Sequence, residues 1–178
     1  MTDIHKVFVS YHHANDQIYR EKFEKMMGSH MISGSVEMGD IEDGLKTETI
    51  RQKIRDEYLG DTSVTVVLIG TETWKRKHVD WEISSSLRKT EKNPRSGLIG
   101  ILLPTYKRPS PGKFDQYTIP PRLYDNYECD FAVIYSWTED PNEMKSRIHD
   151  AYNRKSRINP DNSRDLFRNN RSGNRWYD

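Results

Sequence analysis

Apolar positions along this chain follow two rhythms. Four short runs are continuously apolar: Lys6–Tyr11 (KVFVSY), the β-branched stretch Val64–Ile69, Gly97–Leu103 (GLIGILL) and Phe131–Tyr135 (FAVIY). Runs of this length bounded by turn residues predict strands buried on both faces. Between them the spacing lengthens to that of a helix. Asp16 stands where it can cap a helix reaching about Met27, with Ile18 or Tyr19, Phe23 and Met26 turned inward. Thr49–Gln52 fits a capping box that opens a second helix, with Ile50, Ile54 and Tyr58 on one face and Gly60 as its stop. Val79, Ile83 and Leu87 recur every four residues as the buried stripe of a third. Pro141–Lys155 reads as a last regular helix. Ser35–Met38 fits a short edge strand, and Gly39–Lys46 is an acidic, glycine-punctuated loop. Pro104–Pro121 holds five of the eight prolines and is expected to be irregular. Strands alternating with helices, each strand apolar throughout, predict an α/β fold with a parallel sheet covered on both faces.

Composition narrows the classes. With 178 residues the chain fits one domain, residues 1–155, followed by an appendage, residues 156–178. Hydrophobic residues make up 34% and the mean hydropathy is −0.93, so the core is economical and the surface polar. Twenty-eight basic residues balance 27 acidic ones for a formal charge of +1, which gives no support to a nucleic-acid or anionic-membrane binder. One cysteine, Cys129, allows neither a disulfide framework nor a thiolate metal site. No apolar stretch is long enough to span a bilayer, and a soluble cytoplasmic protein is expected. No glycine-rich phosphate loop and no nucleophile elbow is present, so neither a Rossmann dehydrogenase, an NTPase nor an α/β-hydrolase is indicated.

The chemistry concentrates after the second apolar run. At about 100° per residue, Glu82 lies roughly 60° to one side of Val79, with Ile83 and Leu87 on the other side. Its carboxylate is therefore expected on the shoulder of the buried face, just past the carboxyl edge of a central strand, where open α/β sheets form ligand crevices. Such a carboxylate is either a reaction centre or an ordinary helix charge paired with Arg88 or Lys75. His78 lies one turn from Glu82, close enough to touch it. Ser10, Tyr11 and His12 follow the first strand at the same edge; Ser10 and Asp16 equally suit turn and cap hydrogen bonds. His12 and His13 are adjacent and diverge in direction, with no third ligand at metal spacing, so no metal site is expected.

Three blocks carry a family resemblance. Phe8-Val-Ser10-Tyr11 with Asp16 is similar to the first motif of TIR domains; Asp40–Ile54 (DIEDGLKTETIRQKI) resembles the second; and Ser63–Ile83 resembles the third, in which a strand and turn lead to a helix carrying W-x-x-x-E. The combined pattern, above all VVLIGTETWKRK followed by WEI, most resembles the TIR-like proteins of the bacterial Thoeris antiphage system, the ThsB group. The resemblance spans roughly Lys6 to Tyr135. It implies a flavodoxin-like three-layer fold with a five-stranded parallel sheet. It further implies cleavage of the nicotinamide–ribose bond of NAD to give a cyclic or linear ADP-ribose signal, which activates a separate effector protein. NAD is then a substrate, and no cofactor is implied.

Residue by residue, the resemblance places Glu82 as the catalytic carboxylate and Ser10, Tyr11, His12, Lys46 and Trp74 as NAD contacts. Asp40, Asp43 and Gly44 fall in the loop that borders the nucleotide crevice or mediates assembly. Two positions depart from the pattern. The family tryptophan four residues before the glutamate is His78, which either supports the carboxylate or fills the tryptophan's packing site. The loop's proline-glycine is Asp43-Gly44, and its carboxylates would repel a pyrophosphate unless Lys46 or another cation intervenes. The alternative is a non-catalytic TIR-like scaffold that assembles with itself or with other proteins. A phage component as trigger is a further expectation of the family role. The stretch Ser156–Asp178, arginine-rich with a few aromatics, reads as a docked helix or a mobile tail.

Overall fold

A computed structural model describes residues 5–28 and 46–177. Among these, four strands form one sheet: β1 (Val7–Ser10), β2 (Val64–Ile69), β3 (Gly97–Leu102) and β4 (Ala132–Ser136). They lie side by side in the order β1-β2-β3-β4, every pair parallel, with Ser10 opposite Val67, Val64 opposite Gly97 and Leu98 opposite Ala132. The expected edge strand at Ser35–Met38, and the loop bearing Asp40, Asp43 and Gly44, lie outside the described residues.

Alternation along the strands assigns each helix to a face. Val7 and Val9 of β1, with Val64, Val66 and Leu68 of β2, pack under α1 (His13–Met27) and α5 (Pro141–Arg154) through Phe23, Met27, Met144, Ile148 and Ala151. The opposite parity, Val67 and Ile69 with Leu98 and Leu102, meets α3 (Lys77–Ser86) and α4 (Pro121–Glu128) through Val79, Ile83 and Leu123. Phe8 packs against Ile50 and Ile54, at the junction of α2 (Thr47–Lys53) with a following π-helical turn (Ile54–Tyr58). The result is the parallel sheet covered on both faces that the apolar runs predict, in the three-layer, flavodoxin-like arrangement that the TIR resemblance implies. Helix α5 sits so close to the start of β3 that a Cβ on Gly97 would stand 2.5 Å from the Ala151 carbonyl oxygen. Only glycine fits there.

Several local expectations are corrected. Asp16 does not cap α1; His12 does, its Nδ1 accepting from the Asn15 amide at 3.1 Å. Asp16 lies inside the first turn with non-helical backbone (φ −119°, ψ 15°) and is buried. Of the two alternatives Ile18 faces solvent and Tyr19 packs against the core, as Met26 does, while Phe23 and Met27 are fully buried there. The second helix begins at Thr47 after Lys46, so Thr49 already lies within its first turn and is not the N-cap of a capping box. Helix α4 was not expected at all: Pro121 occupies its first position, which suits a residue lacking an amide proton.

Residues 156–177 form no regular helix and are docked rather than loose. The Trp176 indole donates to the Ile119 carbonyl at 2.7 Å, and the Trp81 indole donates to the Phe167 carbonyl at 2.8 Å. Asn162 bridges Ser84 of α3 and Arg122 of α4. The segment thus runs along the outer side of α3, which explains why nearly the whole helix is buried. Among the described residues no helix is long and apolar enough to cross a membrane.

Candidate active site

Strand β1 ends at Ser10, whose parity matches Phe8 and so turns its hydroxyl toward the α2–α3 side. There the Ser10 Oγ donates to Glu82 Oε1 at 3.0 Å. Glu82 has no exposed surface, so it lies within the buried part of the helix and not merely on the shoulder of its buried face. Nor is it an ordinary helix charge paired with Arg88 or Lys75. Arg88 pairs with Glu48, and Lys75 pairs with Glu72 at 3.0 Å. The hydroxyl of Ser86 donates to the Glu82 carbonyl at 2.8 Å, fixing the helix backbone at this turn.

His78 is one turn earlier, its Nε2 4.0 Å from Glu82 Oε1 and 2.9 Å from the Tyr11 carbonyl oxygen. A carbonyl accepts, so Nε2 carries the proton and spends it on the β1 backbone. Burial holds the imidazole down at about 4, assisted by the nearby His13, Arg76 and His12, with the Tyr11 hydrogen bond opposing. The ring is therefore neutral near pH 7 and makes no ion pair with Glu82. It packs against His13, ring centroids 4.4 Å apart, and His13 against Tyr11 at 4.7 Å. The histidine ties α3 to the end of β1.

The remaining candidates scatter. Tyr11 lies in the core on the α1–α5 side, its hydroxyl donating to Gln17 at 2.6 Å. His12 is occupied as the α1 cap, and burial lowers its pKa. Lys46 is exposed at the start of α2 and gives no side-chain capping bond. Trp74 is buried in a single 3₁₀ turn and lines a cleft whose opposite wall is the C-terminal segment. The structure thus brings Ser10, Glu82, His78 and the Tyr11 backbone together, and leaves Lys46 and Trp74 elsewhere on the molecule. Among the described residues, no group of three or more His, Cys, Asp or Glu side chains is arranged to hold a metal ion.

A family model described as the Thoeris protein ThsB, TIR-like domain, matches residues 8–108, more than half of the chain. The chain belongs to this family. The match opens at β1 and runs through α3 and β3, so the Ser10–Glu82 pair lies inside the ThsB TIR-like region. Helix α4, strand β4, helix α5 and the docked extension follow it.

Two groups near the site were not singled out as functional by sequence. Asp16 packs its carboxylate against Gly70, the residue after β2, so closely that a Cβ there would stand 2.4 Å from Asp16 Oδ2. That oxygen has no hydrogen-bond partner among the described residues. Burial, and then the charge of Glu72, push its pKa up to about 6. On the outer side of α3, Asp80 holds the fully buried Arg122 with contacts of 2.9 and 3.4 Å and also accepts from the Phe167 amide. Asp80 and Arg122 are 42 positions apart. Only the proline pair opening α4 offered a sequence signal for that helix, and nothing local marked its arginine as an ion-pair partner.

Proposed function

We propose that this ThsB-family domain cleaves the nicotinamide–ribose bond of NAD and releases an ADP-ribose product, linear or cyclic, as an antiphage signal. The observation that supports the reading best is the buried Glu82 carboxylate held by Ser10 at the carboxyl edge of the sheet. As the C1′–N bond breaks, its electron pair leaves with neutral nicotinamide, and the ribose acquires oxocarbenium character. A fixed carboxylate in a water-poor setting stabilises that charge and can accept from a ribose hydroxyl. The cation is then captured by water or by a nitrogen of the substrate's own adenine. Ser10 orients the carboxylate, and His78 acts as a neutral brace between α3 and β1, not as a proton donor.

Because Glu82 has no exposed surface in this conformation, substrate reaches it only after its cover shifts. This fits a protein that is silent until a phage component or self-association opens the site. The product acts on a separate nucleotide-activated effector. Tyr11, His12 and Lys46, with the loop carrying Asp40, Asp43 and Gly44, are proposed NAD contacts or site borders that such a shift would have to recruit; Trp74, which lines a different cleft, is not among them.

The same burial favours a second reading, a non-catalytic TIR-like scaffold in which Glu82 merely anchors Ser10. The two separate cleanly by experiment. NAD is incubated with purified protein, wild type beside Glu82→Gln, with and without extract of phage-infected cells, and the products are resolved by mass spectrometry. Nicotinamide release with an ADP-ribose isomer, lost in the folded mutant, is expected; no turnover in any arm moves the assignment to the scaffold.

A further inference from the structure

Beyond the carboxyl ends of β2 and β3 lies a cleft of about 400 Å³ that contains neither Glu82, Ser10 nor His78. One wall is the turn after β2, with Thr71 and Lys75; another is the segment after β3, with Tyr106 and Lys107; the third is the C-terminal segment with Arg175. The volume falls within the roughly 300–1,000 Å³ of small-molecule sites. We propose that this cleft is a binding site for a phosphate-bearing small molecule of nucleoside-diphosphate size, separate from the site around Glu82.

The wall contributed by the extension is fixed on both sides. The Arg171 amide donates to the Lys75 carbonyl at 2.7 Å, and the Trp176 amide to the Tyr117 carbonyl at 2.9 Å, with the Trp176 ring edge-on to Tyr117. Residues 173–175 are therefore pinned across the cleft mouth before any ligand arrives, which lowers the ordering cost of binding.

The charges favour an anion. Three cations, Lys75, Lys107 and Arg175, face two carboxylates, Glu72 and Asp115. Both carboxylates are already taken: Glu72 by Lys75 at 3.0 Å, and Asp115 by Arg175 through contacts of 2.7 and 3.0 Å. Lys107 is exposed and has no carboxylate partner among the described residues. Donor capacity is also in surplus. An ammonium offers three N–H groups and a guanidinium five, so these side chains keep several donors beyond those their partners use. The two ion pairs are partly solvent-exposed, and such pairs are weak enough, at about 0–1 kcal/mol each, for their cations to turn toward an entering phosphate. The Thr71 hydroxyl and the Asn174 amide supply neutral hydrogen-bonding groups on the same lining.

The test is calorimetric titration of the full chain at low ionic strength with pyrophosphate, ADP and adenosine, using wild type, Lys107→Glu and Glu82→Gln. Lys107 is exposed, so its replacement leaves the core untouched. Pyrophosphate and ADP are expected to bind and adenosine not to. Lys107→Glu should weaken both anions at least fivefold, while Glu82→Gln binds them as wild type does. Absence of binding by both anions, a change below fivefold in Lys107→Glu, or loss of binding in Glu82→Gln each overturns the assignment. Because no arm uses NAD turnover, failure here leaves the proposed reaction standing, and the converse also holds.

Discussion

Replacing His78 by glutamine isolates the electrostatic consequence of burying an imidazole beside Glu82. Glutamine places an amide N–H close to the position of Nε2, so the hydrogen bond to the Tyr11 carbonyl is kept while the titrating group is removed. In the folded wild type His78 titrates at about 4, against about 6.5 in the unfolded chain. Between those values the unfolded state binds more protons, so stability falls as pH drops through this window. The full loss is about 3 kcal/mol, of which about 2 kcal/mol is reached between pH 7.5 and pH 5. Asp16 acts in the opposite direction. Its folded value near 6 exceeds the unfolded one, so it removes stability as pH rises between about 4 and 6. The raw wild-type profile is therefore flatter than either group alone would give, and only the difference between variant and wild type isolates His78. Urea unfolding followed by tryptophan fluorescence at pH 7.5, 6.5, 5.5 and 5.0 supplies that difference. Glutamine should be the less stable by about 1 kcal/mol at pH 7.5, from lost packing against the His13 ring, and the more stable by about 1 kcal/mol at pH 5. A difference that stays constant within about 0.5 kcal/mol across the range would refute the neutral, buried imidazole.

Two further predictions concern the groups flanking the site. Asp80→Asn leaves the Arg122 guanidinium buried without its carboxylate and should cost about 3–5 kcal/mol. For a domain of this size that lowers the calorimetric Tm by roughly 6–20 °C, and a drop under about 3 °C would mean that Asn162 and the Asp165 carbonyl suffice to hold the arginine. Gly70→Ala drives a methyl into the Asp16 carboxylate and should cost about 1–3 kcal/mol. In combination with Asp16→Ala most of that cost should vanish, and a double-mutant cycle with no coupling between the two positions is the result that would rule out the contact.

What the sequence determined by itself is whatever neighbours a few residues apart encode. The apolar runs in β2 and β3 are buried along their whole length, and the Val79–Ile83–Leu87 stripe faces the core, as period and composition required. Helix α5 starts at Pro141, where the regular helix was expected to begin. The position of Glu82 beyond the carboxyl edge of β2 was legible for the same reason, since strand parity and helix period are local rules. Helix α4 was hidden by its shortness and by the proline-rich stretch before it, which masks an apolar stripe of few residues. Only the tertiary structure decided how the polar groups are buried. Glu82 is covered because Ser10, 72 positions earlier, meets it from β1. Asp80 is buried because Arg122 and the Phe167 amide reach it from α4 and the extension. Asp16 does not cap α1, because His12, four residues earlier, takes that role and Gly70 leaves room for the carboxylate in the interior. An apolar side chain is drawn inward by water alone and needs no particular partner, so its pattern shows in the sequence; a buried charge or hydroxyl is tolerated only where a specific partner meets it, and those partners are supplied by elements that folding alone brings together.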